Sequence, residues 1–339
     1  MKVGLLFDLQ FPEQVDPVAA SRYLLEEALA AERAGFELLM FSQHYVLSGY
    51  RMLQPVPFLA HVAARVGPQV TLGTGILLLA LLAPVDAAEQ LATLDVLTGG
   101  RLVVGVGLGY RQEEYDALGV PATARVRRFV RNLRLLQMLW QGGPVRYADE
   151  EVRLEGVRLS VPPAQPGGPP VWMAANSDEA VRRAGRLGLV WLMNPHSRLD
   201  TLARQQQLYR QALQQAGLPE PPVRAAIREV VWGPTEEQAW QEARRVLGSK
   251  YRTYTGWGQH RVQPADDPWA AEFAELARDR FVVGSSRTCA AELARVARQL
   301  SLTHLILRVR WAGSDHGAAM EAIQALGREV LPALKGQGT

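Results

Sequence analysis

Any chemistry in this chain would come from a few residues that follow short apolar runs. "SQHY" (42–45) places His44 directly after "FELLMFS" (36–42). An imidazole titrates near neutrality and can give or take a proton. Its neighbours are Gln43 and Tyr45, so no adjacent carboxylate supports it. "GVGLGYRQEEY" (105–115) is a glycine-rich turn that carries Gly109, Tyr110 and Arg111. It lacks the third glycine of a dinucleotide fingerprint, because Arg111 and Gln112 follow Tyr110. Arg111 has two readings: a contact to a bound anion, or a partner for Glu113 or Glu114. "LGTGILL" (72–78) sets Gly73 and Gly75 at a strand end, either for close packing or for ligand contact.

"AANSDEA" (174–180) brings small residues, Asn176, Ser177 and two acids to a strand-to-helix junction. Asn176 or Ser177 would cap the helix, with Asp178 and Glu179 favourable in its first turn. The same stretch suits a phosphate. Ala174 and Ala175 permit close backbone approach, and the helix start offers free N–H donors. The two acids must then point outward. "WLMNPHSR" (191–198) gives a further pair, Asn194 and His196. They read as a helix start with Ser197 as cap, or as a polar pair facing a substrate. None of the six histidines has metal-ligand spacing with another histidine or an acid, so no metal is predicted. The single Cys289 excludes an intrachain disulfide and a cysteine cluster.

The elements that must position these residues alternate. Apolar runs at 2–8, 36–42, 69–75, 101–109, 169–175, 189–194, 223–233 and 303–310 read as strands. Amphipathic runs between them read as helices. One starts at Pro84 and stops at Gly99 and Gly100. About eight strand–helix units predict an α/β chain folded as a (β/α)8 TIM barrel, with a doubly wound sheet as the alternative. Two insertions are expected: a hairpin excursion at about 143–168, after strand 4, and a segment at about 251–280, after strand 7. A barrel carries its site at the C-terminal strand ends, where all the loops quoted above fall. The helix 125–140 bears Arg125, Arg127, Arg128, Arg131 and Arg134, which reads as a solvated face or a subunit contact.

Lys and Arg number 37 against 34 Asp and Glu, an excess too small to argue for nucleic acid. Apolar residues make up 48%, enough for a large core. The most apolar run, "TLGTGILLLALLAP" (71–84), is shorter than a membrane span requires. The N-terminal apolar run is too short for a signal peptide and contains Asp8. A soluble, cytoplasmic protein is the expectation.

Several blocks together resemble the bacterial-luciferase-like flavin monooxygenases. They are "AERAGFELLMFSQHY" (31–45), "LGTG" (72–75), "PVDAAEQLATLDVLTGGRLVVGVGLGYRQEEYDALG" (84–119), "PPVWMAANSDEAVRRAGRLG" (169–188), "VVGSSRTCAAELARVARQLSLTHLILRV" (282–309) and "ALGREVLPAL" (325–334). The similarity runs almost end to end and implies one barrel domain over 1–339. It implies FMN, reduced by a separate flavin reductase and used with O2 to oxygenate a small organic substrate. A deazaflavin reductase or dehydrogenase, and a non-catalytic flavin-binding protein, are the alternatives. By this resemblance the flavin phosphate lies at Ala175, Asn176 and Ser177, bordered by Gly109 and Tyr110. Gly75 and Ile76 form a cis peptide bond against the ring, and His44 serves as acid/base. The family's usual acid before that histidine is Gln43 here, and its second histidine is Tyr45. The region 251–268 would form a mobile lid, with Tyr254, Trp257 and His260 as its candidates. A homodimer packed through barrel helices is also implied.

Overall fold

The computed structural model describes residues 1–267, 269 and 272–335. Three positions of the expected 251–280 insertion (268, 270 and 271) and the last four of the expected domain lie outside the described residues.

Eight parallel strands close into a barrel. They are β1 (Lys2–Phe7), β2 (Leu38–Phe41), β3 (Thr71–Leu78), β4 (Leu102–Gly107), β5 (Val171–Ala175), β6 (Val190–Met193), β7 (Ala225–Trp232) and β8 (His304–Arg308). Each pairs with the next, and β8 returns to β1 through Lys2↔His304 to Leu5↔Leu307. The eight runs read as strands are these eight, so the TIM barrel stands and the doubly wound sheet falls. A ninth strand, Phe281–Gly284, was not anticipated; it extends the far half of β7, from Glu229 to Trp232.

Strands in a barrel are buried on both faces, and alternate residues serve different layers. Leu6, Leu38, Met40, Val103, Trp172, Leu192, Ala225, Ile227 and Ile306 fill the barrel. Their neighbours along the strands, such as Val3, Leu5 and Phe7 of β1, face the helical shell. Small residues occur where strands crowd. A Cβ on Gly4 would lie 2.4 Å from the Leu38 carbonyl oxygen, and one on Gly105 2.1 Å from that of Thr74.

The helix Arg125–Trp140 packs its apolar side on the core, and three of its arginines have a specific intrachain partner. An antiparallel pair, Val145–Ala148 with Arg153–Val157, carries Asp149, Glu150 and Glu151 at its turn. Arg127 reaches Glu151 at 2.6 Å, Arg131 reaches it at 3.0 Å, and Arg128 also pairs with it. For Arg127, Arg128 and Arg131 this corrects the solvated-face reading, since they hold a hairpin turn, while Arg134 is exposed. Beyond β7 run the helix Glu236–Gly256, a 3-10 turn at Gln259–Val262 and a short helix Phe273–Ala277. Among the described residues, no helix is long and apolar enough to cross a membrane.

Candidate active site

The C-terminal strand ends enclose a cavity of about 310 Å³. His44, Gly75, Ile76, Gly109, Tyr110, Ala175, Asn176 and Ser177 all line it, so the structure brings these eight positions to one chamber, whereas Gly73, Arg111, Trp257 and His260 are not among its lining residues. Two arcs differ in character. From β3 to β5 the wall is small and apolar, formed by Gly75, Ile76, Gly107, Gly109, Ala174 and Ala175. The Gly75–Ile76 peptide bond is cis, and the β3–β4 register shifts between Thr74 and Leu77. A Cβ on Gly107 would meet the Ile76 side chain at 2.0 Å, so glycine there admits the bulge.

The other arc is polar for a simple reason of register. Residues two apart on a strand share a face. Leu6, Met40, Leu192 and Ile306 face the barrel interior, so Asp8, Ser42, Asn194 and Arg308 continue those inward rows where the barrel opens. All four line the cavity. Asp8 and Arg308 form a buried ion pair, and Ser42 Oγ donates to Asp8 at 3.2 Å.

His44 is supported by an acid that its local sequence does not contain. Its Nδ1 lies 2.9 Å from Glu114 Oε1, on the short helix Gln112–Ala117. The Tyr45 amide donates to the same oxygen at 2.9 Å, and Arg111 Nη1 stands 3.5 Å away. The expected lack of a carboxylate beside His44 is therefore corrected: β4's loop supplies it. Arg111 is buried and also donates to the Tyr45 carbonyl at 2.8 Å, so its ion-pair reading is the one the geometry shows. Its guanidinium lies 4.7 Å from the Trp257 ring centre, and Trp257 lies 5.7 Å from the His44 ring. Gln43, in place of the usual acid, accepts from the Leu78 amide at 2.9 Å and fixes the bulged strand.

Ser177 caps the helix Asp178–Arg186, accepting from the Ala180 amide at 3.3 Å. Asp178 is turned to Arg204 at 2.7 Å, and the Glu179 carboxylate to Arg186 at 2.5 Å. Neither carboxylate is free to oppose an anion, although Glu179 borders the rim. Arg125 and Arg183 also line the cavity, and neither makes an ion pair or hydrogen bond among the described residues. Burial and the nearby Arg186 and Arg125 charges lower the Arg183 pKa, while Glu179 opposes that shift. Tyr110 lines the cavity with its hydroxyl buried and unpartnered, and burial first, then Tyr254 and Glu114, raises its pKa well above the usual range.

Asn194 does not leave the helix start to Ser197. Its Oδ1 accepts from the amides of His196 at 2.8 Å and Ser197 at 3.0 Å, while Ser197 Oγ donates to Gln263. The helix Leu199–Gln215 begins without a side-chain cap. From the 251–268 segment, Tyr254, Gln259 and Val262 reach the cavity. Among the described residues, no group of three or more His, Cys, Asp and Glu is placed to hold a metal ion.

The profile of the family described as luciferase-like monooxygenase matches residues 1–304. The chain belongs to that family. A coenzyme F420-dependent glucose-6-phosphate dehydrogenase of Beutenbergia cavernae is 34% identical over 181 residues, covering 50% of this chain and 51% of that protein. The 4-hydroxyprotoasukamycin monooxygenase of Streptomyces nodosus subsp. asukaensis is 31% identical over 190 residues, covering 54% and 51%. The matches thus span about half the length of these curated relatives. The oxygenating constituent of 3,6-diketocamphane monooxygenase from Pseudomonas putida, solved with FMN, superimposes with a TM-score of 0.82. That likeness covers 98% of both chains at 19% identity, which shows the fold.

Proposed function

We propose that this chain is a flavin-dependent oxidoreductase, and that it is the oxygenating half of a two-component monooxygenase using reduced FMN and O2. The observation that carries the reading is the rim at Ser177. There a capped helix start and two guanidinium groups without an ion pair or hydrogen bond border the cavity beside a small apolar wall. An anion at a helix N-terminus is favoured by free N–H donors and by the helix dipole. The backbone of Ala175 and Asn176, the Ser177 hydroxyl, Arg125 and Arg183 would hold a phosphate. Gly75, Ile76, Gly107 and Gly109 would take a flat ring. When bound, the flavin supplies the redox chemistry with oxygen, and the protein positions it and excludes water.

His44 would move the proton. Its Nδ1 is engaged by Glu114, so exchange with a bound species falls to Nε2. Trp257 and Arg111 would shield that ring from solvent. Reduced flavin would come from a separate reductase in transient contact, and the same reading includes a homodimer.

A second reading is hydride transfer with the deazaflavin F420. It is favoured by the two cationic side chains at one rim, which suit a tail of more than one negative charge. Titration with FMN, reduced FMN and F420, followed by mass spectrometry of the retained cofactor, separates the two. Oxygen uptake with reduced FMN across a substrate panel then tests turnover. Retention of F420 with no affinity for reduced FMN would overturn the monooxygenase reading. Retention of FMN without turnover would favour a non-catalytic flavin-binding protein.

A further inference from the structure

The cavity meets a second polar group set that the cofactor reading leaves without a role: Asn194, His196, Tyr254, Gln259 and Arg308. His196 is the most constrained of them. Its amide is fixed by Asn194, and its carbonyl accepts from Arg280 Nε at 2.7 Å. Its ring Nδ1 lies 3.2 Å from the Tyr251 hydroxyl, and that hydroxyl donates to Glu229 Oε2 at 3.0 Å. A tyrosine has one hydroxyl proton, and here it is committed to Glu229, itself paired with Lys250. The hydroxyl oxygen can therefore only accept from His196. That places the imidazole proton on Nδ1 and leaves Nε2 as a bare acceptor. Nε2 has no hydrogen-bond partner among the described residues.

An acceptor open to the chamber calls for a ligand that donates. A cationic donor is disfavoured, because the Lys250, Arg308 and Arg280 charges all act on His196 and, with burial as the largest cause, hold its imidazole neutral. The remaining donor is a neutral one.

We propose that the substrate is a neutral hydroxyl-bearing molecule, an alcohol or phenol, whose O–H donates to His196 Nε2. This rests on reading the chamber as shared by cofactor and substrate. His196 is then a specificity residue: an ether of equal size forfeits the bond and leaves Nε2 buried and unpaired.

The test uses matched probes on the full chain, with and without FMN: phenol against anisole, and cyclohexanol against methoxycyclohexane, with binding followed by calorimetry. Each hydroxyl probe is expected to bind about 10-fold more tightly than its ether. In His196→Phe the difference should shrink to about twofold or less. Nitrogen-15 NMR of the unmodified protein gives an independent reading that needs no variant, with the proton expected on Nδ1. Equal binding of hydroxyl and ether, a preference that survives in His196→Phe, or a proton on Nε2 would each overturn the proposal. Loss of FMN binding with the probe preference intact would instead count against the cofactor reading alone.

Discussion

Glu114 Oε1 lies 2.9 Å from His44 Nδ1 and 2.9 Å from the Tyr45 amide nitrogen, so one oxygen fixes both the ring and the backbone that carries it. The acid comes from the loop after β4, the histidine from the loop after β2. A buried carboxylate in this position orients the imidazole and sets which nitrogen faces the cavity. Arg111, three residues before Glu114, closes the unit by bonding the Tyr45 carbonyl.

Glu114→Gln keeps the shape of the side chain but replaces the carboxylate by an amide. General acid–base steps contribute on the order of 10²- to 10⁴-fold, so kcat should fall about 10- to 100-fold if His44 moves a proton. FMN affinity should stay within about twofold, since Glu114 is absent from the cavity lining. Steady-state oxygen uptake and flavin titration check both. An unchanged kcat would remove Glu114 from the orientation of a working His44.

Much of the architecture was legible because both of its periods are in the sequence. Short apolar runs alternating with amphipathic helices predict the barrel, and the eight runs are its eight strands. The glycine and alanine loops could be placed in one chamber because a barrel gathers its strand ends. Asp8, Ser42 and Arg308 were missed, yet a signal existed: each lies two residues beyond an inward apolar residue, Leu6, Met40 or Ile306. Glu114 was named only as a possible partner of Arg111, because its pairing with His44 spans 70 residues of chain. Arg125 and Arg183 sit on helix faces whose arginines look alike in sequence. Only the packing separates Arg125 from Arg127, Arg128 and Arg131, which are held by the acidic hairpin.

Arg183→Ala separates phosphate recognition from ring recognition. An exposed phosphate contact is worth roughly 1–2 kcal/mol, so FMN affinity should fall about 10-fold. Riboflavin, which has the ring but no phosphate, should bind the variant and the parent equally. Quenching of flavin fluorescence measures both. Equal losses for FMN and riboflavin would move the phosphate away from Arg183.

Arg280 and Asp267 form a fully buried ion pair at 2.5 Å, and Arg280 also holds the His196 carbonyl at 2.7 Å. Removing one partner of such a pair leaves an uncompensated charge and costs about 3–5 kcal/mol. Arg280→Met should lose stability on that scale in urea unfolding. Adding Asp267→Leu removes the stranded carboxylate and should restore part of the loss. If the double variant is as unstable as the single one, the bonds to the backbone carbonyls matter more than the charge pair.

His304 offers a stability test away from the cavity. It begins β8, with its ring 5.4 Å from that of Trp172. Burial, then the charges of Lys2 and the N-terminus, lower its pKa from 6.5 to about 4, against an opposing pull from Glu37. Between those two pH values the unfolded imidazole binds a proton that the folded one refuses. Stability is therefore fully present above 6.5, is lost as pH falls toward 4, and levels off below that. The ring is partly exposed, so solvent screening reduces the effect to about 1–2 kcal/mol over the window. His304→Gln should unfold with a shallower dependence on pH across that range, measured by urea midpoints at several pH values. Parallel pH profiles for variant and parent would show that His304 is not the group that couples acid to unfolding there.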